Sequence, residues 1–394
     1  MRQLWLLSGV LCALGAALLT SGARETAGGN GLLASEAHTA VLTRYQPRFG
    51  RSRPVVAVIG ENRMTELIDY VVPYGILQQS ATADVLAVAT REGPLHMMPA
   101  LRFEAQATIE DFDRRFPEGA DYLIVPAVHH SQDAQLTGWV AAQYGKGATV
   151  IGVCDGVLVL GHAGLLQGLR ATGHWYSETE RRKHFPGTRW HSNSRYLVDG
   201  RIVTTSGAAA AVPASLALVE AIAGTARATE VARELGVTEW SNIHDSRPFR
   251  LSLEDYYGAA RNLLLFWRHE TLGIAVAPGV DEIALALTAD AYSRTYRSTA
   301  VSLATSRAPL LTRRGLRLLP DSRPGSEEQP DRLLPALDPA HPITALELTL
   351  GAIAREYGES SARLVALQLE YPRALPSTSN NVPALEPGAR LGAP

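Results

Sequence analysis

Cys154 stands in the pattern Gly-x-Cys-x-Gly that it forms with Gly152 and Gly156. An apolar, β-branched run ends at Gly152, and a second apolar run begins at Val157. This order predicts a buried strand that turns sharply into a buried helix, with the two glycines allowing a strained corner. The arrangement is a nucleophile elbow with a thiol in place of a hydroxyl. We therefore predict Cys154 as a nucleophile; the alternative is an inert cysteine buried at the end of a core strand.

The predicted corner affects the thiol in opposing ways. A cysteine at a helix N-terminus lies near the positive end of the helix dipole, which favours the thiolate. The backbone N–H of Asp155 is expected to point at the position of a developing oxyanion. The carboxylate of Asp155 acts in the other direction, because a negative charge beside the sulfur opposes thiolate formation unless it points away.

Composition limits the classes of protein to which the chain can belong. Its 394 residues are 46% hydrophobic and 19% charged, which is enough to bury a large core in more than one unit. The 37 basic and 39 acidic residues are nearly balanced, so nothing indicates a nucleic-acid surface. Of the two cysteines, Cys12 lies in the N-terminal apolar segment, which leaves Cys154 without a disulfide partner in the mature domain.

Residues 1–23 are predicted to be a signal peptide or a membrane anchor. Arg2 precedes an uncharged run over residues 4–19, and small residues follow at Ser21-Gly-Ala23. We expect the bulk of the protein to lie outside the cytoplasm, in the periplasm or an equivalent compartment, and to be attached to the membrane if this segment is not cleaved. Residues 24–53 show weak periodicity and are predicted to be a linker.

Strands and helices alternate from residue 54 to residue 237. Strands are predicted at 54–60, 85–90, 121–126 and 148–152, helices at 64–79, 109–116, 135–146, 212–222 and 226–235, and hairpins at 94–103 and 195–207, the second turning at Asp199-Gly200; a short strand over 171–175 ends in a histidine. This order predicts an α/β three-layer sandwich with a mostly parallel sheet. Ligands of such sheets bind beyond the carboxyl ends of the strands, where we expect Glu61, His129 and Cys154.

Several ordered motifs resemble one known family. They are Cys154-x-Gly, Ala163-Gly-Leu-Leu, Arg170-Ala-Thr-x-His174-Trp, Phe185-Pro, Asp199-Gly-Arg, Thr204-Thr-Ser-Gly and Ala226-x-x-x-Ala-Arg-Glu-Leu. Together they resemble the ThiJ/PfpI family of the class I glutamine amidotransferase-like superfamily, in the branch of isonitrile hydratase and of the sensor domains of AraC-type regulators. The resemblance implies a flavodoxin-like fold over residues 54–237 and is compatible with a homodimer. No helix-turn-helix pattern follows residue 240, so no DNA-binding domain is expected.

The resemblance also implies roles for individual residues. The family places an acidic residue four positions before a proline on the first helix, a register that Asp69 fits with Pro73 and Glu66 does not. A protonated Asp69 would hydrogen-bond the thiolate and lower its pKa; the alternative is a solvated carboxylate on a helix face. His174 would act as a proton shuttle, with Trp175 beside it in the pocket; the alternative is a core histidine.

The chain departs from the family pattern after the third strand. The usual Gly-Gly is replaced by Ala127-Val128-His129-His130, which leaves the N–H of Val128 to complete the oxyanion site and adds imidazoles to the pocket. Glutaminase activity is excluded because the His-x-Glu pair of amidotransferases is absent near Ser206. The sequence indicates no cofactor; a metal bound by His129, His130 and His174 is a weak alternative, since these histidines lack ligand spacing.

The leading hypothesis is a cysteine-dependent hydrolase or hydratase that acts on a small molecule. The alternative is a protein that senses a ligand, or one in which Cys154 oxidises reversibly to a sulfenic acid. Alkylation of Cys154 should abolish turnover under the first hypothesis.

The second half repeats part of the first. A strand over 272–279, a helix over 281–297, a strand over 300–305, a hairpin over 308–320 and helices over 343–357 and 361–369 follow the order of the first half. We predict a degenerate second unit over residues 238–373, with Leu285 in place of Asp69, no elbow and no chemistry of its own. Residues 374–394 are polar and rich in proline and glycine, and are predicted to be disordered.

Overall fold

The computed structural model describes residues 41–372 apart from 324, 326–328 and 339. The predicted leader over 1–23, residues 24–40 of the predicted linker and the predicted tail over 374–394 lie outside the described residues. Within the described ranges, no helix combines the length and the apolar character that a bilayer crossing requires.

The first half contains the strands and helices that carry the site. The strands are β1 (Val55–Gly60), β2 (Thr65–Glu66), β3 (Asp84–Ala89), β4 (Pro94–Met98), β5 (Arg102–Glu104), β6 (Ala107–Thr108), β7 (Tyr122–Val125), β8 (Thr149–Gly152), β9 (Arg170–Ala171), β10 (Arg189–Trp190), β11 (Tyr196–Asp199) and β12 (Ile202–Thr205). The helices are α1 (Leu67–Ser80), α2 (Ile109–Arg115), α3 (Ala134–Gly145), α4 (Gly156–His162), α5 (Glu178–His184), α6 (Ala211–Ala223) and α7 (Thr225–Leu235).

Seven of these strands form one sheet in the order β11-β12-β8-β7-β1-β3-β6. Every neighbouring pair is parallel except β11 and β12, which form an antiparallel hairpin. Alternate residues of β1 enter different cores: Val56 and Val58 pack with α1 and α6, whereas Val55, Ala57 and Ile59 pack with α2, α3 and α4. The sheet therefore lies between two helical layers, which confirms the predicted α/β sandwich.

Two local predictions are wrong. The hairpin turns at Gly200-Arg201 and not at Asp199-Gly200, because Asp199 pairs with Ile202 and Gly200 has a φ of 61°. The strand predicted up to His174 ends at Ala171, and His174 instead precedes a short 3-10 helix.

The described part of the predicted linker, residues 41–53, is bound to the first half. In residues 41–53, the Tyr45 N–H donates to Ala221 O at 2.9 Å, and Arg51 pairs with Asp121 at 3.1 Å. Leu42 is buried in the core beneath the sheet. These hydrogen bonds, the ion pair and the burial of one apolar side chain hold the segment to the first half.

The described residues of the second half contain four helices and five strands. They are α8 (Leu253–Leu264), β13 (Glu270–Ala275), α9 (Glu282–Ser293), β14 (Ser298–Leu303), β15 (Leu310–Leu311), β16 (Arg317–Leu318), β17 (Arg332–Leu333), and the helical pair α10 (Ala345–Tyr357) and α11 (Glu359–Leu369), which completes the half. Strands β13, β14 and β17 form a parallel sheet. Strand β16 pairs antiparallel with β5 of the first half, and α9 packs against α1.

The succession β13–α9–β14 is the same as β1–α1–β3. A side-chain carboxylate caps each helix, Glu66 on α1 and Asp281 on α9. Counted from these caps, Ala284 takes the position of Asp69, whereas the sequence comparison placed Leu285 there. Helix α8 was not predicted, although the capping box of Ser252 and Asp255 marks its start. The two-unit division itself stays a prediction.

Candidate active site

Cys154 lies at the corner between β8 and α4. Its φ of 54° falls in the left-handed region, which is strained for a residue with a side chain. The N–H of Cys154 donates to the Thr205 hydroxyl at 2.9 Å, and the N–H of Val153 donates to Val125 O at 2.9 Å. A Cβ on Gly156 would lie 2.0 Å from Val125 O, so this position requires glycine. The structure thus forms the corner that the glycine spacing predicts.

Two polar side chains lie beside the sulfur. Cys154 Sγ, a carboxylate oxygen of Asp155 and a ring nitrogen of His174 all lie within 4.8 Å of one another. The Ser177 hydroxyl donates to Asp155 Oδ1 at 2.5 Å, and Arg181 Nε donates to that hydroxyl at 3.0 Å. The Asp155 carboxylate therefore does not point away from the sulfur. It is held in place by a hydrogen-bonded chain that ends on a buried guanidinium.

The pKa of the Cys154 thiol is raised well above its usual value. Burial is the largest cause, followed by the negative charges of Asp69, Asp155 and Glu66, while a hydrogen bond from the Asp155 backbone acts in the other direction. The expectation of a lowered pKa is wrong for a physical reason. Helix α4 has only seven residues, and its dipole does not offset desolvation of a charge in a site lined by carboxyl groups.

Asp69 lies fully buried on α1. Its Oδ2 accepts from the Ala127 N–H at 3.1 Å, whereas its Oδ1 has no hydrogen-bond partner among the described residues. Burial and the neighbouring Glu66 raise the pKa of Asp69 well above its usual value. The alternative of a solvated carboxylate is wrong, and a protonated Asp69 has one oxygen available for donation into the site.

Glu66 belongs to the same group of carboxyls, although it does not fit the register that singled out Asp69 in the sequence. Its Oε2 accepts from the Asp69 N–H at 2.7 Å, and its Oε1 binds the Arg294 guanidinium. Burial and the charge of Asp290 raise the pKa of Glu66 to about 8. The signal available in the sequence was its N-cap position, three residues before an acidic residue.

Arg294 brings a cation from the second half to this group. It pairs with Asp290, four residues earlier on α9, as well as with Glu66. Its charge lowers the pKa of Glu66 and of Asp69, and the Cys154 thiolate in turn raises the pKa of Arg294. The second half thus supplies a charge to these carboxyl groups, while its having no chemistry of its own stays a prediction. No motif marks Arg294, because only the packing of α9 on α1 brings it here.

His174 is 7% exposed, and its environment favours the neutral ring. Burial lowers the pKa of His174, with the charges of Asp155 and Glu370 acting in the other direction. Its Nε2 is buried without a hydrogen-bond partner in the described structure. The ring lies 5.5 Å from that of Trp175, whose Nε1 donates to Leu367 O at 2.9 Å. A neutral imidazole beside a protonated thiol is suited to accept the thiol proton.

Among known proteins, residues 55–221 of this chain match the DJ-1/PfpI family. The chain carries a DJ-1/PfpI family domain. The isonitrile hydratase of Pseudomonas putida is 28% identical over 182 residues, which cover 43% of this chain and 72% of the relative. The resemblance expected from the ordered motifs is thus confirmed.

Solved structures are similar to the DJ-1/PfpI domain over about half of this chain. Oxidized DJ-1 of Toxoplasma gondii has a TM-score of 0.42 at 22% identity, covering 47% of this chain and 100% of its own. A ThiJ/PfpI family protein from Pseudomonas syringae has a TM-score of 0.42 at 20% identity, covering 50% of this chain and 83% of its own.

Other predicted pocket residues of the DJ-1/PfpI domain lie outside the cysteine group. Glu61 is buried but binds Arg63 at 2.9 Å and lies 3.6 Å from Arg91. His130 Nδ1 is 3.8 Å from a Glu61 oxygen, and the exposed His129 packs edge-on against His130. None of the three belongs to the group that surrounds the sulfur.

The three-histidine metal site is accordingly not formed by the described residues. The side chains that approach closely enough to share an ion are Cys154, Asp155 and His174, whose sulfur, oxygen and nitrogen atoms are donors that zinc accepts.

The main chain of Val128 contacts the segment that precedes α1. Its residue forms an antiparallel bridge with Thr65, made by the N–H groups of Glu66 and His129. The N–H of Val128 has no hydrogen bond among the described residues, and its donation to a developing oxyanion stays a prediction.

Proposed function

We propose that this protein is a cysteine-dependent hydratase or hydrolase that acts on a small molecule. The observation that carries the proposal is the juxtaposition of the Cys154 thiol and the buried His174 imidazole at a strained elbow. The isonitrile hydratase relative supports the hydratase form and makes an alkyl isonitrile the first substrate to test.

The proposed reaction starts from a neutral pair. Because burial raises the pKa of Cys154 and lowers that of His174, the thiol and the imidazole are both uncharged near pH 7. His174 accepts the thiol proton as the sulfur attacks the electrophilic carbon. The N–H groups of Asp155 and Val128 stabilise negative charge that develops on an oxygen, and a protonated Asp69 is the nearby acid.

For an isonitrile, the atoms balance without a cofactor. The sulfur bonds to the terminal carbon, and His174 returns the proton to the same carbon, which gives a thioimidate. Water then adds to this carbon, the carbon–sulfur bond breaks, and the products are the N-substituted formamide and the regenerated thiol.

Formamide production from an alkyl isonitrile tests the proposal. We expect turnover by the wild type and by Cys12→Ser, and a loss of at least about 100-fold in Cys154→Ser and His174→Ala. Excess EDTA should leave the rate unchanged, because the proposed steps use no metal. Turnover that survives Cys154→Ser would refute the proposal.

A redox sensor is the second candidate. Its support is that Cys154 is a free thiol in the described structure, and oxidation to a sulfenic acid needs no second cysteine. Mass spectrometry of the Cys154 peptide after dilute peroxide distinguishes the two. A sulfenic acid that dithiothreitol reverses, in a protein without turnover, would favour sensing.

The proposal includes export from the cytoplasm. Its support is the uncharged run over residues 4–19 that follows Arg2. Cell fractionation and the N-terminal sequence of the mature protein test it; a cytoplasmic protein that starts at residue 1 would refute it.

A further inference from the structure

Two buried polar atoms without partners among the described residues belong to side chains that both approach Gly207. One is Nε2 of His174, and the other is Oε2 of Glu370. A Cβ built on Gly207 would lie 2.4 Å from the Glu370 Cβ and 3.0 Å from the His174 Cδ2, the ring atom bonded to Nε2. Only a glycine lets the last helix of the second half approach the imidazole this closely.

Glu370 is fixed in position by its own contacts. It ends α11 in the left-handed conformation, with a φ of 52°, and its residue is 3% exposed. Its Oε1 lies 2.9 Å from Nε2 of the buried His244, which leaves Oε2 as the free acceptor. Trp175, directly after His174, donates to Leu367 O on the same helix at 2.9 Å. Two contacts thus hold the histidine segment near the end of α11: the Trp175 hydrogen bond and the close packing at Gly207.

We propose that Glu370 is the positioning residue of His174, so that the second half completes a Cys154–His174–Glu370 relay. This inference rests on the proposed function and assigns the third member of its catalytic group. The Glu370 carboxylate accepts from Nε2–H, which fixes the tautomer in which Nδ1 is the base for the thiol. When His174 takes that proton, the imidazolium is stabilised by the adjacent carboxylate. The proton later leaves Nδ1 for the substrate carbon.

The unpaired state of the two atoms is consistent with this role. Catalytic hydrogen bonds are commonly long before substrate is bound and tighten in the reactive complex. An unpaired buried donor and an unpaired buried acceptor each cost free energy, which their pairing would recover. The other charged groups that act on His174 are Asp155, Arg181 and Arg294. Of the two carboxylates, Asp155 and Glu370, it is Glu370 that has a buried oxygen without a partner among the described residues.

The tautomer of His174 in the folded wild type is the first test. Long-range ¹H–¹⁵N spectra of protein labelled at histidine nitrogen report which ring nitrogen carries the proton, with His174→Gln used for assignment. We expect the proton on Nε2 in the neutral ring. A neutral ring protonated on Nδ1 would overturn the proposal, and this measurement needs no variant at Glu370.

The second test compares Glu370→Gln with Glu347→Gln, an exposed glutamate on α10 of the same half. Glutamine keeps an acceptor but removes the charge, so the pKa of His174 should fall and kcat for isonitrile hydration should drop at least about 10-fold, with KM little changed. Glu370→Asp should restore part of kcat, and Glu347→Gln should match the wild type. A folded Glu370→Gln with the kcat and the histidine titration of the wild type would refute the role of Glu370.

The two proposals fail in different ways. If Cys154→Ser keeps its turnover, the proposed function itself is wrong. If Cys154→Ser is inactive while Glu370→Gln behaves as the wild type, only the role of Glu370 is wrong.

Discussion

Glu66→Gln should change how the stability of the protein depends on pH. The pKa of Glu66 rises from 4.5 to about 8 on folding, so the folded state binds one more proton than the unfolded state between these values. Stability from this group is therefore fully present below pH 4.5 and is lost as the pH rises through 8. Each pH unit in the window costs about 1.4 kcal/mol, or about 4 kcal/mol between pH 5 and pH 8.

Glutamine resembles the protonated side chain. Protonated Glu66 donates to Asp290, and its other oxygen accepts from the Asp69 N–H. The amide of glutamine offers the same donor and acceptor but cannot ionise. The free energy of unfolding of the variant should thus fall less steeply with rising pH, because Glu66 no longer contributes. The raised pKa values of Asp69 and Asp290 leave a smaller decrease of this free energy with pH.

Urea unfolding followed by circular dichroism at pH 5, 6, 7, 8 and 9 measures this effect. The wild type minus the variant should decrease by about 4 kcal/mol from pH 5 to pH 8. The exposed Glu239→Gln is the control and should give a constant difference. A constant difference for Glu66→Gln as well, within about 1 kcal/mol, would mean that Arg294 keeps Glu66 ionised in the folded state, and the assignment of its proton would be wrong.

Three further predictions follow from the packing. Gly156→Ala should abolish or displace the elbow, since its Cβ meets Val125 O, whereas Gly138→Ala in helix α3 has open space and should stabilise by up to about 1 kcal/mol; thermal unfolding measures both. Arg294→Met should destabilise by about 3–5 kcal/mol at pH 8 and by less at pH 5, where the carboxyls are protonated, as urea unfolding will show. Asp121→Asn should speed tryptic cleavage after Arg48 without lowering isonitrile turnover; cleavage at the wild-type rate would contradict the docking of residues 41–53.

The sequence was sufficient for elements whose cause is local. The apolar run of β1 has both faces buried, and the glycines beside Cys154 are needed because of a positive φ and a close backbone contact. Such requirements leave a pattern of residue types along the chain. That pattern predicted the succession of strands and helices up to the elbow. Helix α8 was also marked locally, by its capping box, and could have been found.

The charge state of the site could not be predicted in this way. The sequence alone allowed the helix dipole and the neighbouring Asp155 carboxylate to be weighed at Cys154. It did not show the burial of the thiol, or the charge of Glu66, which tertiary packing brings near it. Arg294 and Glu370 lie far along the chain and belong to no motif. They come near the site because α9 packs on α1 and because the C-terminal end of α11 lies beside Gly207. The direction of the thiol pKa depends on these long-range contacts, which is why the prediction had the wrong sign.

The contact between the two halves has a thermodynamic consequence. Helices α1 and α9 pack against each other, and β5 pairs antiparallel with β16, so the two halves meet through a helix pair and a strand pair, as two subunits could. Between separate chains, such an interface would dissociate on dilution. Here both sides belong to one polypeptide, so the interface forms at a fixed effective concentration. If Glu370 and Arg294 complete the site, turnover per molecule should be the same from nanomolar to micromolar protein, because dilution removes no part of it.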